Sequence, residues 1–137
     1  MQTKDIKHTL ILDCTPQEAY DAWLDSKIHG EIIEADAVIV PMIGGAFTLW
    51  DDNTTGRTLE LHPNKYIIVQ SWRDNSMGWP DDYFTTITLQ FVKEHDNQTK
   101  LYFVQKGIPE KDAKSIEAGW QKYYWVRMKR YFKELNS

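Results

Sequence analysis

The sequence predicts an α+β domain in which an antiparallel sheet of about six strands packs on one long C-terminal helix. Residues 35–107 are segments of alternating apolar side chains joined by short turn clusters. Residues 109–135 instead repeat large apolar side chains every three or four positions. Consecutive hairpins leave one apolar sheet face to cover, and this helix is the only segment long enough to cover it. The 137 residues suffice for a single domain, 1–137, with a full core.

Two short helices are predicted directly after the first strand. Residues 6–13 alternate in the rhythm of a half-buried strand. The stretch TPQE at 15–18 supplies an N-cap threonine, a proline at the first helical position and a glutamate three residues past the cap. This capping box predicts a helix to about Asp25. Ser26 is expected to cap a second short turn, which contains a weakening Gly30.

The central part of the chain predicts an antiparallel meander. A first strand ends near Pro41, which must lie at a sheet edge or a bulge, and Gly44-Gly45 breaks the chain after it. Turn clusters of Asp, Asn, Thr, Gly and Pro separate the later strands. Those later strands are expected over 46–50, 56–62, 66–74, 83–92 and 99–107.

The last segment predicts a helix of two dozen residues or more that opens at Pro109. Acidic residues follow its start and basic residues close its end, as the helix dipole favours. Its expected apolar face is Ala113, Ile116, Trp120, Tyr123, Tyr124, Arg127, Met128, Tyr131 and Leu135. Trp125 and Phe132 lie on the flank, either under the sheet's edge or in an exposed patch. Gly119 costs about 1 kcal/mol in mid-helix, so we expect another element to approach the helix closely there.

Composition excludes several classes of function. A net charge of −4 disfavours broad binding to nucleic acid or anionic membranes. No apolar run is long enough for a membrane span, and the N-terminus lacks the apolar core of a signal peptide. Cys14 is the single cysteine and cannot form an internal disulfide, which favours a cytoplasmic location and a role as buried filler.

The residues that usually carry catalysis are scattered. The histidines, His8, His29, His62 and His95, fall on different elements with no metal-binding spacing. Adjacent aspartates at 51–52 and 81–82 lie in turns, where turn formation explains them. No phosphate loop or nucleophile motif is present. We therefore expect no enzyme, no metal and no cofactor.

An ordered set of short motifs resembles a known family. The motifs are Gly44-Gly45-x-Phe47 with Gly56, Ile68 through Trp72-Arg73, Gly78-Trp79-Pro80, Thr86-Ile87-Thr88-Leu89-x-Phe91, Gly107-Ile108-Pro109 and Gly119-Trp120-x-x-Tyr123-Tyr124. Over residues 8–134 the chain resembles the C-terminal domain of activators of the heat-shock protein 90 (Hsp90) ATPase and its stand-alone bacterial relatives. These belong to the START-like (SRPBCC) helix-grip superfamily, so the resemblance implies a curved sheet gripping the terminal helix around a cavity.

The resemblance implies a small apolar or amphipathic ligand in that cavity. The expected lining is Trp72, Ile87, Leu89, Phe91, Phe103, Trp120, Tyr124 and Met128, with Gln70, Gln105 and Arg127 as isolated polar groups. A buried void under loops 27–33 and 74–82 would favour this role. Alternatively, the protein's own rings fill the interior, and the two glutamines bond each other or the backbone.

The second implied role is contact with an Hsp90-type chaperone. Trp79 and Trp125 are the candidate lid or partner contacts, and a filled interior with an exposed patch around Trp125 would favour this role. Eukaryotic members carry a separate N-terminal domain that supplies much of the chaperone contact. The 137 residues contain no counterpart, so we expect no ATPase activation by this chain alone. The oligomeric state, monomer or homodimer, stays open.

Overall fold

Seven antiparallel strands form one open sheet, slightly more than the six expected. The structure is a computed structural model that describes all residues, 1–137. The strands are β1 (Thr3–Leu12), β2 (Ala37–Ile39), β3 (Ala46–Leu49), β4 (Thr54–His62), β5 (Ile67–Asp74), β6 (Thr85–His95) and β7 (Gln98–Pro109). The helices are α1 (Pro16–Leu24), α2 (Ser26–Ile33), α3 (Ala113–Trp120) and α4 (Val126–Leu135).

Strand order places the chain's first and last strands side by side. The order is β1-β7-β6-β5-β4-β3-β2, so β2 to β7 form the predicted meander and β1 closes on β7. Registers such as Leu10 opposite Leu101 and Leu89 opposite Phe103 align the apolar positions of neighbouring strands. One sheet face is therefore mostly apolar, with a few buried threonines and glutamines, and packs on the helices.

Helices α1 and α2 follow β1 as predicted, with one correction at the second cap. The capping box is confirmed: Thr15 Oγ1 accepts from the Glu18 N–H at 3.1 Å, and Glu18 Oε1 accepts from the Thr15 N–H at 3.0 Å. Asp25 caps α2 instead of Ser26, because its Oδ1 accepts from the Ile28 N–H. Ser26 Oγ instead accepts from the Ile39 N–H at 2.8 Å, which covers part of the sheet's edge.

The C-terminal helical segment changes its winding midway. A 3-10 turn (Glu110–Asp112) leads into α3, and a π turn (Gln121–Trp125) joins α3 to α4. We call residues 113–135 the terminal helix. The wider π turn lets two adjacent residues, Tyr124 and Trp125, both face the sheet. Tyr123 and Leu135, expected on the apolar face, are exposed. Tyr123 lies inside the π turn, whose buried residues are Tyr124 and Trp125, and Leu135 is the last residue of α4.

Close packing of the hairpins requires glycine at one strand position. Gly56 of β4 lies opposite Phe47 of β3. A Cβ atom at residue 56 would lie 1.9 Å from the Ser71 carbonyl oxygen and 2.6 Å from Phe47 Cζ. No side chain fits there, so Gly56 allows the Phe47 ring to cover this part of the sheet. No helix of the protein has the length and apolar character needed to cross a membrane.

Candidate functional site

An open cleft beside the terminal helix is the main concave feature of the molecule. Its volume is about 420 Å³. Three segments form its walls: the turn between β3 and β4, the end of β5 with the loop after it, and the terminal helix. The lining residues are Trp50, Asn53, Thr54, Trp72, Asp74, Ser76, Met77, Ser115, Ile116, Gly119, Trp120, Tyr123 and Tyr124.

Five of the residues that line the cleft are aromatic, and the Trp50 ring meets two of the others at steep angles. The Trp50 ring lies 5.8 Å from the Tyr124 ring at 81° and 6.1 Å from the Tyr123 ring at 71°, centroid to centroid. Trp72 lies 5.1 Å from Trp120 and 6.1 Å from Tyr124. Because the rings stand across one another, the space between them is boxed by ring faces and edges.

The backbone at the cleft departs from regular geometry in two places. Trp50, Asp51 and Asp52 are consecutive residues with positive φ angles of 51°, 52° and 69°. Each such non-glycine residue costs on the order of 1 kcal/mol or more, and strained conformations concentrate at functional sites. Across the cleft, the π turn places Tyr123 and Tyr124 in the wall. π turns inside helices are also frequent at functional sites.

Gly119 corrects one expectation from the sequence. No strand or loop approaches it: the nearest atom to a Cβ built there is Tyr123 Cδ2, at 3.9 Å. Gly119 lines the cleft, so a side chain here would project into open space. The glycine therefore keeps the cleft wide at a cost to helix stability of about 1 kcal/mol.

Charge within the cleft comes from one residue. Asp74 is the only lining residue with a formal charge. Its Oδ1 accepts from the Ser76 N–H at 3.0 Å and from the Ser76 hydroxyl at 2.7 Å. These bonds hold the carboxylate at the rim while its Oδ2 has no protein partner.

Next to the cleft, the interior under the sheet is filled by the protein's own side chains. There, tryptophan indole N–H groups donate hydrogen bonds to glutamine amide oxygens. Trp23 Nε1–H donates to Gln70 Oε1 at 2.9 Å, and Gln70 Nε2–H donates to the Thr58 hydroxyl at 3.1 Å. All three residues are buried. Gln70 therefore bonds neither Gln105 nor a ligand, because an indole and a hydroxyl satisfy its amide.

The second glutamine repeats this arrangement. Trp120 Nε1–H donates to Gln105 Oε1 at 2.7 Å, and Gln105 Nε2–H donates to the Thr85 hydroxyl at 2.9 Å. Thr85 in turn donates to the Trp72 carbonyl. No buried side-chain nitrogen or oxygen lacks a partner. The alternative of an interior filled by the protein's own rings therefore describes this half of the molecule.

His29 is a buried residue whose importance the sequence did not reveal. Its Nδ1 faces the Trp23 carbonyl at 2.7 Å, so that nitrogen must carry the proton. Its Nε2 then accepts from the Tyr124 hydroxyl at 2.9 Å. Burial lowers the pKa of His29 to about 4, against a smaller opposing effect of the Trp23 carbonyl. Burial also raises the pKa of Tyr124 well above its ordinary value, so both side chains are neutral.

Only part of the predicted lining reaches the cleft. Trp72, Trp120 and Tyr124 do. The predicted residues that lie instead in the closed interior are Gln70, Ile87, Leu89, Phe91, Phe103, Gln105 and Met128. Loop 27–33, expected over the mouth, does not border the cleft. The predicted lining missed two aromatic rings of the cleft, Trp50 and Tyr123. Trp50 directly precedes the turn cluster DDNTTG, which could have indicated it.

Arg127 has a different role from the predicted ligand anchor. Its guanidinium donates to the Ile33 carbonyl and lies 3.2 Å from the Glu34 carboxylate. Glu34 ends α2 with a positive φ of 58°. Arg127 therefore ties the end of α2 to the terminal helix, because the last carbonyl groups of a helix attract a cation.

Neither tryptophan proposed as a lid or partner contact is exposed. Trp125 is 2% exposed, and its Nε1–H donates to His8 Nδ1 at 2.8 Å. Trp79 is 5% exposed, and its Nε1–H donates to Asp112 Oδ2 at 2.8 Å. Each indole is bonded within the core or its rim, so neither ring is presented to a partner. The patch expected around Trp125 is absent.

The loop that carries Trp79 is held by one arginine. Arg73 donates to the carbonyl groups of Trp79, Pro80 and Tyr83 and to the Asn75 side chain. Four bonds from one guanidinium fix the loop's path. Its last part is therefore pinned, while its first part, at Ser76 and Met77, borders the cleft.

The catalytic residue types do not converge in the cleft. Cys14 is fully buried, and burial raises the pKa of its thiol to about 12. His62 and His95 are exposed at strand ends, as expected. No group of three or more His, Cys, Asp or Glu side chains is arranged to hold a metal ion.

Comparison with known sequences gives one consistent result. The sequence model of the family described as "Activator of Hsp90 ATPase homolog 1-like protein" matches residues 13–133. The human protein named "Activator of 90 kDa heat shock protein ATPase homolog 1" is 32% identical over 118 residues, which are 86% of this chain and 34% of the relative. A Dictyostelium discoideum homolog of that activator is 29% identical over 131 residues, 95% of this chain and 33% of the relative. The chain spans about a third of the length of these relatives.

Solved structures with the same fold include two described in related terms. An Hsp90 activator from Plasmodium falciparum superposes with a TM-score of 0.79 at 20% identity, over 88% of this chain and 89% of that one. The Aha1 dimer from Colwellia psychrerythraea superposes with a TM-score of 0.80 at 16% identity, over 98% and 99% of the two chains. At these identities the match establishes the helix-grip fold that the sequence predicted.

Proposed function

The chain belongs to the family of Activator of Hsp90 ATPase homolog 1-like proteins, and from that premise we propose that it is a non-enzymatic START-like domain that binds a small apolar or amphipathic molecule. The open cleft between the Trp50 turn and the terminal helix is the proposed site. We also propose that the protein acts in the cytoplasm, in keeping with its lone unpaired cysteine.

One observation carries the ligand-binding proposal. The cleft of about 420 Å³ lies within the volume range of small-molecule sites, and its wall combines aromatic rings with a few polar groups. Gly119 and the strained Trp50–Asp52 turn border this cleft, although each lowers stability. Features that cost stability and keep a cleft open favour a functional role for it.

A neutral fluorescent probe, combined with a substitution that fills the cleft, tests this proposal. We expect N-phenyl-1-naphthylamine to bind the wild-type protein with a rise in emission. Gly119→Leu should abolish the rise, because its side chain enters the cleft. Ala118→Leu is the matched control, since Ala118 is exposed on the same helix and does not line the cleft. Equal probe binding by Gly119→Leu and the wild type would reject the cleft as the site.

The second candidate function is contact with an Hsp90-type chaperone. The family assignment favours it, because matched relatives are named as activators of this ATPase. The filled interior also favours a role at the surface. Exposed apolar side chains beside the edge strand offer a contact surface, since the Gly44 N–H bonds the Thr58 carbonyl and brings this loop next to β4. They are Val38, Val40, Met42, Ile43 and Leu59.

Calorimetric titration against the chaperone, paired with its ATPase rate, tests this candidate. We expect binding without full stimulation, since the chain spans a third of the activators' length. Ile43→Glu should weaken binding, whereas Ile11→Glu, an exposed isoleucine on the opposite edge strand, should not. Equal effects of the two variants, or no heat of binding, would remove this candidate. The Colwellia relative is described as a dimer, so sedimentation should accompany these titrations to distinguish a homodimer from a monomer.

A further inference from the structure

The lining of the cleft carries negative charge. Asp74 is the only formally charged lining residue, and its Oδ2 has no protein partner. Asp51 and Asp52 lie exposed in the turn that carries Trp50. The pKa of Asp51 is raised by a hydrogen bond that its protonated carboxyl donates to Asp36 and by the repulsion between the two carboxylates. Carboxylates crowded at one rim attract cations and repel anions.

The rings of the wall are suited to the same kind of charge. An aromatic face carries negative electrostatic potential, and cations bind over it most strongly when water is excluded. Trp50, Trp72, Trp120 and Tyr124 meet at angles from 38° to 81° in the pairs that are in contact, so they present both faces and edges. Several aromatic rings around one space form the kind of cage that binds a compact cation.

The fifth ring, that of Tyr123, already contacts two cationic side chains of the protein. Lys122 Nζ lies 5.2 Å from the centre of the Tyr123 ring, and Arg127 Cζ lies 5.4 Å from it. The Arg127 charge is paired with Glu34. Neither cation lines the cleft. Tyr123 therefore marks the basic side of the rim, and the other four rings, with Asp74, remain for a ligand.

We infer that the cleft selects a ligand with an organic cation, of the quaternary ammonium type, joined to a short apolar body. The cation is held among the Trp50, Trp72 and Tyr124 rings with Asp74 beside it, and the apolar body lies along Met77 and Ile116. This inference deepens the ligand-binding function proposed above and rests on it. The inference specifies a positively charged ligand, which an apolar cleft alone would not require.

A matched pair of ligands separates the charge from the shape. Hexanoylcholine carries the trimethylammonium group, and 3,3-dimethylbutyl hexanoate replaces the nitrogen by carbon without changing its shape. We expect the cation to bind the wild-type protein about tenfold or more tightly, the range of a desolvated cation–π contact, in a titration of tryptophan fluorescence. Octyl sulfate, an anion, should bind more weakly than either.

Two variants test whether the preference for the cation over the neutral ester arises in the cleft. Asp74→Asn keeps the Oδ1 acceptor for Ser76 and removes the charge, so it should weaken hexanoylcholine about fivefold and leave the neutral ester unchanged. Asp81→Asn, an exposed loop aspartate outside the cleft, is the control and should change neither. Circular dichroism checks that both variants fold.

The outcomes distinguish this inference from the proposed function. If the neutral ester binds as tightly as the cation, or if Asp74→Asn and Asp81→Asn behave alike, the cation inference is wrong while ligand binding stands. If hexanoylcholine, its ester isostere and N-phenyl-1-naphthylamine all fail to bind, both fail together.

Discussion

The terminal helix borders two regions built from the same residue types, one closed and one open. On the closed side, the indoles of Trp23, Trp120 and Trp125 donate to protein acceptors, and Phe103 packs against Trp120 and Trp125. On the open side, Trp50 and Trp72 line the cleft and their indole N–H groups have no protein acceptor. Aromatic content is similar in the two regions, so it cannot be what distinguishes a core from a binding site.

What differs is how the polar atoms and the backbone are used. The closed region matches each buried indole and amide with a partner, which leaves nothing for a ligand to satisfy. The open region has a glycine that no neighbour requires, a π turn and three residues in left-handed conformation. An indole N–H without a protein acceptor, beside a glycine that packing does not require, is therefore a better sign of a binding site than a cluster of aromatic rings.

The largest effect should come from adding one methyl group to the closed region. Gly56→Ala places a Cβ 1.9 Å from the Ser71 carbonyl oxygen, so β4 and β5 must separate. We expect a loss of about 3 kcal/mol or more in the free energy of unfolding, at the upper end for an overpacked core. Urea denaturation measures it, and a loss below 1 kcal/mol would mean that the sheet tolerates the group.

Acid should weaken the closed region through His29. Its pKa in the folded protein is about 4, below the ordinary 6.5, so on acidification the unfolded chain takes up the proton first. The free energy of unfolding therefore falls as the pH drops from 6.5 to 4, by about 3 kcal/mol from this residue. Above 6.5 the contribution is fully present.

The control for this pH effect is His29→Gln, whose amide can still bond Trp23 and Tyr124. Its stability should depend less on pH than that of the wild type between 6.5 and 4, as measured by urea denaturation at a series of pH values. Identical pH profiles for the two proteins would contradict a buried, neutral His29.

Removing one amide should leave a buried hydrogen-bond donor in the closed region without its acceptor. Gln105→Leu keeps the volume but leaves the Trp120 indole N–H without an acceptor. We expect a loss of about 2 kcal/mol, the cost of a buried unpaired donor. Gln90→Leu, on the other face of the neighbouring strand and half-buried, should change stability by about 0.5 kcal/mol or less. Similar losses in both variants, measured by thermal unfolding, would rule out this role for the amide.

The smallest effect, and the only gain, should come from the open region. Gly119→Ala adds a Cβ that meets only Tyr123 Cδ2, at an ordinary 3.9 Å. The helix should become more stable by about 1 kcal/mol, whereas the same substitution at Gly56 is destabilising. A higher melting temperature measured by calorimetry would support the account, and a lower one would reveal a packing role for Gly119.

Sequence patterns predicted the elements and the meander better than the winding of the terminal helix. The capping box at Thr15, the meander and the terminal helix follow from local rules of spacing and turns. The π turn at Gln121–Trp125 does not, because it responds to packing of Tyr124 and Trp125 against distant residues. The same limit made Tyr123 look buried.

The site was harder to predict because it depends on contacts far apart in the sequence. Gln70 and Gln105 were correctly assigned to the inner face, but their partners, Trp23 and Trp120, lie 47 and 15 residues away. No periodic pattern in the sequence shows that the N–H group of an indole will donate to a particular glutamine amide. Trp50 was missed because its conformation is left-handed at the start of a turn, outside the alternation of β3.

The six tryptophans allow a direct test of the contrast between the two regions. Each indole N–H gives one signal in a ¹H–¹⁵N correlation spectrum, which can be recorded while hexanoylcholine is added. The account predicts that the Trp50 and Trp72 signals and the Gly119 amide shift most, while those of Trp23, Trp79 and Trp125 stay in place. Shifts concentrated at Trp23 and Trp125 would mean that the interior opens to ligand and would contradict the account.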